Sequence, residues 1–97
     1  MDEASVREQA EAHGRAMVEG DVNRAGGDLM ASARAAAGPV MKAMPNPLKS
    51  AEVQSIEAQE DGFMVDIRYG GDEQSIVVRS RWVDDEGRPK IAELNLA

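Results

Sequence analysis

Cysteine is absent from this chain, so neither disulfides nor thiolate metal sites brace it. One histidine and no recognisable carboxylate spacing leave no metal set, and no metal or other cofactor is expected. Aromatics are nearly missing as well, with one Trp, one Tyr and one Phe. Methionine and aliphatic side chains must therefore fill most of any core. No apolar run approaches the roughly 20 residues that span a bilayer, so a membrane is not an expected partner. The opening Met1-Asp2-Glu3 lacks the basic-then-apolar order of an export signal, which makes a cytoplasmic location the expectation.

What is present is acidic. Eighteen Asp and Glu against eleven Lys and Arg give a net charge of -7. Up to Gly38 seven acids face four bases (-3), and from Pro39 onward eleven face seven (-4). Neither half offers the clustered cations that neutralise phosphates, so nucleic acid is not an expected partner. The charge serves solubility. A length of 97 residues is that of one domain, read as residues 1-97. Domains this small bury a modest share of their surface, and self-association is a common source of added stability.

The first segment reads as a helix over Glu3–Glu19. Val6, Ala10, Gly14, Met17 and Val18 recur at helical spacing, and Gly20 supplies a left-handed stop. Ser5 followed by Glu8 resembles a capping box. Asp21 is placed to cap a second helix over Val22–Ala37, with a narrow stripe of Val22, Ala25, Leu29, Ala33 and Ala36. Gly26-Gly27 weakens it by about 1 kcal/mol per residue relative to Ala and marks a kink or a close contact. Gly38-Pro39 is expected to close that helix and to open a short third one over Val40–Met44, ended by Pro45-Asn46-Pro47.

From Ala51 the period changes to two. Turn chemistry sets the register. A three-residue Asp85-Glu86-Gly87 loop closes Asp84 on Arg88, placing Val78 opposite Leu94 and Arg79 opposite Glu93. Closing Gly71 on Gln74 places Phe63 opposite Trp82, Ile67 opposite Val78 and Asp66 opposite Arg79. The two hairpins together predict a charge row, Asp66–Arg79–Glu93. A two-residue Asp61-Gly62 turn would set Ile56 opposite Ile67, and Val53 then needs a bulge. The expected fold is α+β: two or three N-terminal helices on the inner face of a curved four-stranded antiparallel meander.

The stretches Val18-Glu19-Gly20-Asp21-Val22, Val77-Val78-Arg79-Ser80-Arg81-Trp82 and Asp85-Glu86-Gly87-Arg88-Pro89, in this order of elements, resemble a short variant of the nuclear transport factor 2-like superfamily. This is the cystatin-like cone that includes SnoaL-like and ketosteroid isomerase-like proteins. The resemblance implies a cavity under the helices and a homodimer through the outer sheet face. No position matches a family catalytic motif, so no catalytic residue is carried over.

His13 lies on the first helix stripe, where an inward imidazole could serve as acid or base; the plainer role is a helix-edge histidine bonded to a carbonyl or water. Tyr69, Ser80 and Trp82 bring polar tips to the inner face, where they satisfy the core or orient a ligand. Met17, Met41 and Met44 pack the core or line a pocket rim. These seven residues form the candidate ligand pocket. Val53, Met64, Val77, Arg79, Arg81 and Ile91 form the candidate dimer face. The expected function is a non-catalytic homodimeric module that binds a small apolar ligand or a protein. The alternative is a small isomerase, cyclase or dehydratase acting on an apolar carbonyl compound.

Overall fold

Three helices precede four strands in the computed structural model, which describes residues Met1–Ala97. The elements are α1 (Glu3–Glu19), α2 (Val22–Gly27), α3 (Ala31–Ala43), β1 (Ser50–Gln59), β2 (Gly62–Gly70), β3 (Ser75–Asp85) and β4 (Arg88–Leu96). The strands form one antiparallel meander in the order β1-β2-β3-β4. Helix α1 lies across β1 and β2, and α3 lies along β4. The α+β expectation holds.

Helix α1 spans the expected residues, but its capping box is one turn earlier. Asp2 accepts from the Ser5 amide at 2.8 Å, and Ser5 Oγ reaches back to the Asp2 amide at 3.2 Å. The Ser5 amide first, and the Ser5 hydroxyl second, hold the exposed Asp2 carboxyl below the usual range. Val6 and Ala10 are fully buried, as their spacing requires.

The second helix departs from expectation. It stops at Gly27, resumes at Ala31 and runs through Gly38-Pro39 to Ala43. The break is where the backbone finds better partners. Ile91 N donates to Asp28 O and Met30 N donates to Ile91 O, both at 2.8 Å, so Leu29 forms a short parallel bridge with Ile91. Gly26-Gly27 makes this exchange cheap, because two glycines contribute little helix propensity. Pro39 is tolerated because it and Ala35, whose carbonyl it leaves unpaired, both face solvent.

The β2–β3 register agrees with the turn argument: Phe63 opposes Trp82, Ile67 opposes Val78 and Asp66 opposes Arg79. The β3–β4 hairpin does not. Its loop has two residues, Glu86 and Gly87, with φ of 53° and 85°, and it closes Asp85 on Arg88. Positive φ at both positions gives a turn whose twist matches the strands. This loop sets Ile91 opposite Trp82, and a bulge at Ala92 then sets Glu93 opposite Arg81 and Asn95 opposite Arg79. The predicted row is therefore split: Arg79 binds Asp66 at 2.9 and 3.0 Å, and Arg81 binds Glu93 and Asp61.

On the other side the β1–β2 turn is Glu60-Asp61 rather than Asp61-Gly62, so Ile56 opposes Val65. The expected bulge falls between Val53 and Ser55 and brings Val53 opposite Ile67. Val53 and Ile91 thus both belong to the core side of the sheet, not to the outer face. Val78 and Leu94 also pack toward the helices, which keeps one apolar wall under them.

Helix α1 can sit close to β1 only because residue 14 is glycine. A Cβ there would stand 2.9 Å from Ala51 Cβ, well inside contact distance. Gly14→Ala is expected to destabilise the fold by about 1–3 kcal/mol in urea unfolding. Adding Ala51→Gly should recover part of that loss; strictly additive losses would show that the two positions do not touch.

Candidate functional site

Between the three helices and the sheet lies a cavity of about 230 Å³. Helix α1 contributes His13 and Met17 to it, and α2 contributes Val22, Ala25 and Gly26. Leu29 follows from the joint, Ala37, Val40 and Met41 from α3, and Met44 from its C-cap. Tyr69, Val78 and Leu94 form its sheet side. Val22 and Met41, both exposed, stand at its mouth. The lining is almost wholly apolar, and its polar side-chain groups are the imidazole of His13 and the hydroxyl of Tyr69.

His13 is held from behind. Its Nδ1 lies 3.0 Å from Oδ2 of Asp28, a residue with no exposed surface. Oδ1 of Asp28 accepts from Arg88 Nη2 at 3.0 Å, and Arg24 Nε stands 3.9 Å from Oδ2. A carboxylate beside two guanidiniums can only accept, so Nδ1 of His13 carries the proton and donates. Nε2 is then the free nitrogen of the ring. Trp82 packs edge-on against the same ring, with centroids 6.0 Å apart and an interplanar angle of 84°.

Neither Nε2 of His13 nor the hydroxyl of Tyr69 has a protein hydrogen-bond partner, although both residues are buried. No fully enclosed side-chain nitrogen or oxygen is left unpaired in the fold. Each of these two atoms therefore keeps some accessible surface, and both residues line the cavity. Burial first, and the negative charge of Asp28 second, push the Tyr69 hydroxyl well above its usual range. It is a hydrogen-bond donor at any ordinary pH.

Five of the seven candidate pocket residues, His13, Met17, Met41, Met44 and Tyr69, meet at the cavity. Ser80 and Trp82 do not line it. They lie in the core, where Trp82 Nε1 donates to Ser80 Oγ at 2.9 Å and Ser80 Oγ donates to the Val65 carbonyl at 3.3 Å. Their polar tips satisfy each other, so Trp82 touches the site only by bracing His13. Of the candidate dimer-face residues, Met64, Val77, Arg79 and Arg81 lie on the outer face, whereas Val53 and Ile91 face the core.

Asp28 and Arg88 are the site residues that periodicity missed. A continuous second helix placed Asp28 off its apolar stripe, among the solvent-facing positions. The signal that could have found it is Gly26-Gly27 immediately before an acidic residue, a sequence better suited to a turn than to a helix interior.

No protein-family model, curated protein or solved structure matches this chain, so the comparisons identify no family. No cluster of three or more potential metal ligands occurs in the fold, and no helix is long and apolar enough to cross a membrane.

The raised Tyr69 hydroxyl fixes a sign for alkaline stability. The folded chain keeps that proton at a pH where the unfolded chain has lost it, so the contribution is complete below pH 10 and lost above it. Stability should fall by up to about 1.4 kcal/mol per pH unit above roughly pH 10 from this group alone. Tyr69 is the only tyrosine, so phenolate absorbance reports it directly. Ionisation at an ordinary pH while the chain stays folded would contradict the assignment, and Tyr69→Phe should remove this part of the slope.

Proposed function

We propose that this protein binds a small, mostly apolar molecule in the cavity between its helices and its sheet. The observation that carries the reading is the pairing of an apolar enclosure with two unpartnered polar atoms, His13 Nε2 and the Tyr69 hydroxyl. Core packing alone does not leave buried polar groups open in this way, whereas ligand sites combine apolar walls with a few placed donors and acceptors. Membership of the nuclear transport factor 2-like superfamily is part of the same proposal. The order of three helices and a four-stranded meander supports it, as does a cavity under the helices.

Filling the cavity tests the reading. Leu29→Trp or Val40→Phe should lower the affinity for an apolar fluorescent probe at least tenfold, with circular dichroism unchanged. Equal probe binding by wild type and both variants would place the probe elsewhere and defeat the proposal.

Self-association through the outer sheet face belongs to this proposal too. Met64, Val77 and Val83 lie half-buried there among the Arg79 and Arg81 ion pairs. The expected species in sedimentation is a dimer, and Val77→Glu should convert it to monomer. A wild-type monomer at high micromolar concentration would rule this out.

A second reading, acid–base catalysis on an apolar carbonyl compound, is favoured by one feature. Asp28 orients His13 so that Nε2 faces the cavity, an arrangement suited to moving a proton. Exchange of ligand C–H for deuterium, lost in His13→Gln, is its signature.

A further inference from the structure

The charge that an occupant of the cavity can carry follows from where the charged groups around it stand. This inference rests on the ligand-binding reading above and narrows it to a class of ligand. No Lys, Arg, Asp or Glu lines the cavity, and apart from His13 and Tyr69 its walls are glycine, methionine and aliphatic side chains. An ion entering it gives up its hydration, and only a partner of opposite charge offsets that loss.

An anion finds no such partner. Arg24 and Arg88 are engaged with Asp28, and their side chains are 43% and 46% exposed, so water and salt screen them. Asp28 has no exposed surface and is not screened in this way. Its negative charge is felt at Tyr69, where it adds to burial in keeping the hydroxyl protonated. A field that opposes a phenolate there opposes a carboxylate set against it. The His13 ring lies 3.0 Å from Asp28, and the pair carries no surplus positive charge in either protonation state of the imidazole. A cation fares no better. Both oxygens of Asp28 are already occupied, by His13 and by Arg88, and no other carboxylate lines the space.

The Tyr69 hydroxyl supplies the one polar contact that needs no charge. It has no protein partner, keeps accessible surface and holds its proton, so it donates to any oxygen that reaches it. We propose that the cavity takes an uncharged medium-chain alcohol or ketone whose oxygen accepts from the Tyr69 hydroxyl, and that it excludes the carboxylate and the ammonium of the same chain. The oxygen is held from the sheet side, so the fit is the same for a neutral or a charged His13 ring. The volume of about 230 Å³ is roughly eight times the ~30 Å³ that a water occupies, which suits a molecule of about eight non-hydrogen atoms.

Calorimetric titration at neutral pH with 1-heptanol, 2-heptanone, heptanoate and heptylamine tests this, since the last two are then fully charged. Physiological salt screens the net charge of -7, and only binding that is lost in the filled variant Val40→Phe is counted. The expected result is that the tighter of the two uncharged compounds binds at least tenfold more tightly than either ion, and which of the two it is tells alcohol from ketone. Tyr69→Phe, which removes one hydroxyl and keeps the packing, should weaken that compound about fivefold. An ion that binds as tightly as the uncharged compounds would overturn the charge assignment, and an unaltered affinity in Tyr69→Phe would overturn the placement of the oxygen. Either result leaves the apolar cavity standing as a binding site. Binding of none of the four would overturn this assignment and the ligand-binding reading together.

Discussion

A carboxylate with no exposed surface sits at the meeting point of α1, α2 and β4, and the arrangement of the molecule follows from how it is satisfied. Burying such a charge without partners costs several kcal/mol. Asp28 has three, His13, Arg24 and Arg88, each on a different element. Its backbone is engaged as well, since its carbonyl accepts from Ile91. One residue therefore ties the orientation of α1 to the position of β4. It also explains why the second helix is interrupted: a helical Asp28 could not offer both its carboxylate and its carbonyl to β4.

The same knot sets the chemistry of the cavity. Because Asp28 takes Nδ1 of His13, the other ring nitrogen is the one turned to the open space. Because Ser80 takes the indole N–H of Trp82, that ring can be wholly buried and serve as a wall against which the imidazole is fixed. Among the buried side chains, hydrogen bonds leave two polar atoms unpaired, and the residues that carry them both line the cavity.

Much of the fold was legible in the sequence because it depends on local rules. Helix α1 follows from five apolar positions and a glycine stop, and the β2–β3 register follows from the short turn after Gly71. The errors arose where a tertiary partner outweighs a local preference. Asp28 looked like a solvent-facing helix residue because its partners lie far along the chain, at His13 and Arg88. The β3–β4 loop is one residue shorter than expected, which puts Ile91 opposite Trp82 on the inner face, and the Ala92 bulge, invisible to strict alternation, then returns Leu94 to that face. Val53 went astray through a bulge whose presence was inferred but whose effect on facing was not. Of the candidate pocket residues, Met17 and Tyr69 were placed by spacing and Met41 and Met44 by their position just before Pro45-Asn46-Pro47, and all four line the cavity. Ser80 and Trp82 lie on the inner face as expected but outside the cavity, because alternation gives the face of a strand, not whether a polar tip finds its partner inside the core.

The bridge between Leu29 and Ile91 has a consequence for how copies of the chain can meet. It occupies the outer rim of β4 at its middle, and Ser32 covers the neighbouring Ala92 carbonyl. A foreign strand therefore finds no continuous row of free amides on that side. The opposite rim, along β1, is open, but Glu52 and Glu57 stand exposed on it, and two such rims laid side by side would bring acid toward acid. Endless strand-by-strand growth is blocked at one border and repelled at the other, so any pairing of copies through this sheet is directed to its broad surface.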